Sequence, residues 1–106
     1  MAADRFKEIT KLLEREPGDP FLRYALAMEH KKAGRLDEAL EWMGKTLEAD
    51  GTYCYAYYQR GQIFEQQGEV ESARKVYADG IKAAKTCGDA HAAGEIQVAL
   101  EMLDDE

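Results

Sequence analysis

The chain is 106 residues long, 45% hydrophobic and 33% charged, the balance of a soluble globular domain. Twenty-one acidic against fourteen basic residues leave a net charge of −7, which argues against a nucleic-acid binder, since such proteins draw their affinity from a basic face. No apolar run approaches the ~20 residues that span a bilayer; the charged N-terminus MAADRFKEITKLLERE lacks a signal-peptide core, so a cytoplasmic protein with free thiols at Cys54 and Cys87 is expected.

Phe6, Ile9 and Leu13 at helical spacing predict a first helix over 2–15. Pro17-Gly18-Asp19-Pro20 stops it and starts the next, with Asp19 as N-cap and Pro20 at the first helical position. The second helix runs to about Ala33, where Gly34 ends it by taking a left-handed backbone. Leu36, Ala39, Leu40, Met43 and Leu47 mark a third helix over 36–49. A turn as short as Gly34-Arg35 makes these two an antiparallel hairpin. After Asp50-Gly51-Thr52, residues 53–67 and 70–85 form a second hairpin about Gly68-Glu69. Beyond Thr86-Cys87-Gly88-Asp89, a last helix over 89–103 carries Ala92, Ile96, Ala99, Leu100 and Leu103 on one face. Its acidic tail, Asp104-Asp105-Glu106, opposes the helix dipole and is expected to fray.

The two hairpins are copies of each other. Ala27 and Gly61, Gly34 and Gly68, Ala39 and Ala73, and Met43 and Tyr77 each stand 34 residues apart. The second copy reads Tyr57-x2-Arg60-Gly61-x2-Phe64, then Ala73-x3-Tyr77; the first reads Arg23-x2-Leu26-Ala27-x2-His30, then Ala39-x3-Met43. This pattern resembles the tetratricopeptide repeat, W-x2-L-G-x2-Y, then A-x3-F, then P, over roughly residues 4–86. Arg23, Arg60 and His30 replace that family's bulky aromatic, leucine and tyrosine, and Gly51 and Lys85 replace its terminal proline. One period upstream, Ile9, Leu13 and Pro17 fall in register with Met43, Leu47 and Gly51, so the first helix matches the second half of a repeat. The expected fold is all-α, an antiparallel helical-hairpin solenoid of about six helices in a single domain, 1–106. Its parts are a half repeat (1–18), two repeats (19–52 and 53–86) and a capping helix with its tail (87–106). The flanking helices bring the stack to the roughly three repeats that such folds need for stability.

The resemblance also implies a function: a non-catalytic module that binds a peptide or helix of a partner protein. In that family the first helix of each repeat lines a concave groove. Carried onto this sequence, the groove slots hold Phe21, Tyr24 and Met28 in the first repeat and Tyr55, Tyr58 and Gln62 in the second. Aromatic side chains suit recognition, giving large contact area at little cost in rotamer entropy. Lys31, beside Lys32, is either a contact for an acidic peptide or part of a solvated basic pair. Family members that hold chaperone C-termini use a clamp of Lys, Asn and Arg. Here Tyr24, Met28, Tyr58 and Gln59 stand at those slots, which disfavours that ligand class. Two alternatives stay open. The terminal helices could fill the groove, the first against Phe21 and Tyr24 and the last against Tyr55 and Tyr58; or the chain could be a structural homo-oligomer without a heterologous ligand.

Catalytic chemistry finds little support. His30, His91, Cys54 and Cys87 match no metal-ligand spacing, and the glycines punctuate helices rather than form a phosphate loop. No enzyme activity, cofactor or metal is expected. His30 sits in a packing-tyrosine slot and is expected to be a hydrogen-bonded structural residue. Glu29 and Arg60 are charges in apolar slots, expected to pair, or Arg60 to lay its stem inward with its head in water. Trp42 falls outside the core pattern, either covering the convex side or standing exposed as an anchor for self-association.

Overall fold

The computed structural model describes residues 2–104 and consists of six helices: α1 (Ala2–Arg15), α2 (Pro20–Lys32), α3 (Leu36–Ala49), α4 (Cys54–Gln66), α5 (Val70–Thr86) and α6 (Ala90–Asp104). The sequence-derived boundaries hold to within one residue. The fraying expected of Asp105 and Glu106 lies outside the described residues, while Asp104 accepts a hydrogen bond from Arg74 Nε at 2.8 Å.

Local chemistry sets the helix ends. Asp19 accepts from the Leu22 N–H through Oδ1 at 3.2 Å, and Pro20 follows it, where the first turn has no use for an N–H. Asp89 caps α6 likewise, taking the Ala92 N–H at 2.9 Å. Three helices end in one device. Gly34, Gly68 and Gly88 have φ of 80°, 76° and 76°, a region that side chains with a Cβ rarely occupy. Around Gly34, the glycine N–H reaches the Lys31 carbonyl at 3.0 Å and the Arg35 N–H reaches that of His30 at 2.9 Å. The same pairs recur at Gly68 and Gly88, satisfying carbonyls that the helix end would leave orphaned. The α5–α6 connection is therefore as tight as the turns inside the two repeats.

The chain divides into two compact units, Met1–Asp50 and Gly51–Glu106. In the first, Ile9 and Leu13 of α1 meet Leu22 and Leu26 of α2, with Phe6, Ala25 and Trp42 packed against them. Trp42 is thus half-buried on this cluster, with Lys45 Nζ 4.1 Å from its ring centroid, and is not an exposed anchor. In the second unit, Ala73, Tyr77, Ile81 and Ala84 of α5 share a core with Ala92, Ile96 and Leu103 of α6.

Each hairpin closes on a small residue paired in register with a large one. Ala27 and Met43 occupy these slots in the first unit and both are fully buried. In the second unit they are Gly61 and Tyr77. A Cβ at Gly61 would overlap the Tyr77 ring, which is itself fully buried and has no free end to swing aside. Gly80 is a second close approach: a Cβ there would stand 2.8 Å from Tyr57 Cβ and 3.2 Å from Ile96 Cδ1.

Another slot explains the departure at Arg23. Its Nε donates to the Pro17 carbonyl at 2.8 Å, and its Nη1 donates to the Lys45 carbonyl at 2.6 Å. One period on, the Tyr57 hydroxyl donates to the Gly51 carbonyl at 3.2 Å. Pro17 and Gly51 are themselves in register, so two different side chains perform one task, tying the interhelix loop to the helix that follows it.

Overpacking a core by one methyl costs about 1–3 kcal/mol, and Gly61→Ala is expected near the top of that range. In a Tyr77→Met background, where the ring is replaced by a pliable chain, the same substitution should cost at least about 1 kcal/mol less. Urea unfolding of the four proteins of this cycle measures both; strictly additive costs would mean that the ring is not what confines Gly61.

Candidate interaction face

The groove slots lie on two first-of-repeat helices, α2 in one unit and α4 in the other. Along α2, Leu22, Leu26, Ala27, Glu29 and His30 turn inward. This leaves Phe21 on the outside at 63% exposure, with Tyr24, Met28 and Lys31 half-buried. Burial pushes the Lys31 ammonium below its ordinary pKa. The partly buried neighbours of the α1–α2 cluster are Phe6, Ala25 and Trp42.

The inward side of α2 carries two polar residues whose roles differ. Glu29 is buried, and the cation beside it within its unit is Arg5, Nε to Oε2 at 3.4 Å. His30 is buried as well: its Nδ1 accepts from Arg35 Nε at 2.9 Å and its ring meets Phe6 edge-on, centroids 5.2 Å apart. Burial, then the Arg35 charge, hold its pKa below the ordinary 6.5, against a weaker opposing pull from Glu38 and Glu41. His30 is therefore a neutral structural residue, as its slot suggests.

On α4 the aromatics are tied down. Tyr55 donates its hydroxyl to Glu95 Oε1 of α6 at 2.8 Å and meets Tyr58 edge-on at 6.4 Å. That hydrogen bond, then burial, push the Tyr55 phenol up to about 12. Tyr58 lies 6.2 Å from Tyr77, and both Tyr55 and Tyr58 pack against the core shared with α6. The Tyr77 hydroxyl donates to Glu65, and burial together with that carboxylate hold the phenol far above its usual range. Arg60 is half-buried, its guanidinium 6.0 Å from the Phe64 ring centroid; its buried Nε has no hydrogen-bond partner among the described residues.

Between α4 and α6 a pocket of about 240 Å3 opens onto the surface. Tyr58, Tyr77, Val98, Ala99 and Met102 give it apolar walls, and Gln62, Glu65 and Glu95 are its polar residues. The structure thus gathers Tyr58 and Gln62 at one site and adds Glu65, Glu95, Val98 and Met102, which the repeat slots do not mark. Val98 and Met102 stand four apart on one face of α6, 54% and 65% exposed; that spacing is the only sequence signal that could have found them. A larger recess of about 320 Å3, bordered by Gly51, Tyr57, Asp79 and Lys82 among others, contains no groove-slot residue.

Among the described residues, no three His, Cys, Asp or Glu side chains are gathered as metal ligands, and no helix is long and apolar enough to cross a membrane. Cys54 is buried and Cys87 exposed, both free thiols. Burial, then the neighbouring Asp89, raise the Cys54 thiol.

His30 gives a test in solution. The folded residue resists protonation while the unfolded one titrates near 6.5. Its contribution is therefore whole above that pH and is lost as pH falls through 6.5 toward the lowered folded value. Relative to a His30→Gln variant, the wild type should lose unfolding free energy between about pH 7.5 and about pH 5.5. A stability difference that stays constant over that range would contradict a neutral His30.

A sequence profile described as the tetratricopeptide repeat matches residues 55–87. The solution structure of a tetratricopeptide repeat domain protein from Salinibacter ruber is 35% identical, covering 84% of this chain and 90% of that chain, with a TM-score of 0.79. A TPR repeat-containing protein of Pseudomonas aeruginosa is 28% identical over 96 residues, 91% of each chain. In fold, this chain is also similar to the TPR2B domain of yeast Sti1, solved in a complex with pHsp70: TM-score 0.89 at 19% identity, over 98% of this chain and 83% of that chain.

Proposed function

The chain belongs to the tetratricopeptide repeat family, and from that premise we propose that it is a non-catalytic adaptor whose first-of-repeat helices hold a peptide or helix of another protein. The fold is an all-α helical-hairpin solenoid and the molecule is a protein-interaction module. In this reading it works in the cytoplasm, and its binding residues are Phe21, Tyr24, Met28 and Lys31 in the first unit and Tyr55, Tyr58 and Gln62 in the second.

The observation that carries the reading is Phe21. A phenylalanine 63% exposed on a helix whose other large apolar residues are buried or half-buried adds little to stability where it stands, and its open ring is of the kind that serves as an aromatic anchor for a partner. Tyr58 and Gln62, which line the pocket beside α6, supply the second contact. The yeast domain similar in fold was solved in a complex with pHsp70, which supports the class of function while leaving the partner open.

One observation favours the self-association reading instead: Val98 and Met102, exposed on the last helix, would suit a second copy. Phe21→Ala separates the readings, because an exposed residue away from the core should change unfolding free energy by no more than about 0.5 kcal/mol. The expected result is a folded monomer that loses most of the partner retained by the wild type in an affinity capture. Undiminished capture would contradict the role of Phe21. Capture of nothing but further copies of the chain, with mass rising with concentration, would replace the adaptor by the homo-oligomer.

A further inference from the structure

We infer that the pocket between α4 and α6 is a receptor for a lysine or arginine side chain, so that the segment this module takes is cationic and apolar; the inference rests on the interaction-module reading above. Two features of the pocket select that chemistry together. Tyr58 and the exposed Val98 and Met102 offer an apolar wall, and Glu65 and Glu95, one from each helix, supply the charge. Among the described residues, the lining holds no lysine or arginine.

The carboxylates are held in place. Glu95 Oε1 accepts from the Tyr55 hydroxyl at 2.8 Å and lies 2.7 Å from Nε2 of the exposed His91, and Glu65 accepts from the hydroxyl of the fully buried Tyr77. A carboxylate has about four lone-pair sites on its two oxygens, so Glu65 with its phenol, and Glu95 with a phenol and an imidazole on one oxygen, can each still take a charge-assisted bond from an ammonium or guanidinium. A long basic side chain has the matching shape: its methylene stem lies on apolar surface while its head reaches the charge. The Tyr58 ring adds a face that attracts a cation. Val98 and Met102, one helical turn apart, ask for apolar neighbours beside that basic residue. An acidic segment would instead meet two carboxylates with no countercharge in the lining. At −7 overall, the chain also draws cationic segments from a distance and repels acidic ones.

The test is selection from a random dodecapeptide phage library on the immobilised wild-type chain, followed by affinity measurement with the enriched peptides made synthetically. Glu65→Gln/Glu95→Gln keeps an acceptor for each phenol while removing both charges, and circular dichroism confirms its fold. Glu101→Gln, outside the pocket, serves as the control. Peptides carrying a lysine or arginine beside apolar residues should be enriched. They should bind the double variant at least tenfold more weakly, bind the control unchanged, and weaken as salt rises. Enriched peptides that are neutral or acidic, or cationic ones that bind the double variant equally well, would overturn the receptor while leaving an interaction module standing. Enrichment of no peptide at all would overturn both readings.

Discussion

A tyrosine ring lying against a glycine backbone sets the geometry of the second unit. Gly61 on α4 has no room for a Cβ because the buried ring of Tyr77 on α5 occupies that space. The close approach carries the ring hydroxyl to Glu65, and it places Tyr58 against the same ring. Two residues of the candidate pocket are therefore positioned by a packing contact rather than by each other. The first hairpin meets the same need with a smaller difference in size, Ala27 with Met43, both fully buried. Interiors this dense transmit any change of volume to their neighbours, so the paired sizes behave as one variable.

The departures from the repeat pattern show that a slot demands a task, not a residue. Arg23 and Tyr57 share no chemistry beyond a donor at the end of a long side chain, yet both bond the loop carbonyl six residues upstream. His30 and Phe64 also occupy one slot. The histidine meets the edge of Phe6 and takes a hydrogen bond from Arg35, while Phe64 lies beneath Arg60. In each unit a ring and a guanidinium come together near the hairpin turn, by different routes.

What was legible in the sequence was local. Asp19-Pro20 starts a helix and Gly34 and Gly68 end theirs through bonds within a few residues, so helix bounds follow from short windows. The 34-residue period gave the pairing of α2 with α3 and of α4 with α5. Contacts to the flanking helices were legible only as alternatives, because periodicity shows which face is apolar and not which side chain will reach across to it. Glu29 reads as a charge in an apolar slot, and the cation beside it within its unit is the exposed Arg5 of α1. Trp42 reads as outside the core yet packs on Ile9, Leu13, Leu22 and Leu26. Tyr55 reads either as a groove residue or as packed on the last helix, and its hydroxyl is bonded to Glu95 on α6. Of the slots named from the repeat, Phe21 alone is strongly exposed, and Tyr58 and Gln62, one turn apart on α4, border a pocket because α6 supplies its other wall.

The two units offer faces of different character. That of α2 carries an open phenylalanine with Lys31 on the same helix; that of α4 and α6 carries an apolar pocket edged by carboxylates. Recognition on these faces leaves α3 and α5 to support them. Chemical-shift mapping of the isotope-labelled chain, titrated with a bound partner segment, tests this most directly. The account predicts perturbed signals at Phe21, Tyr58, Gln62, Val98 and Met102, with little change at Glu41, Lys75 and Lys82 on α3 and α5. Perturbations confined to α3 and α5, with Phe21 and Tyr58 unmoved, would contradict it.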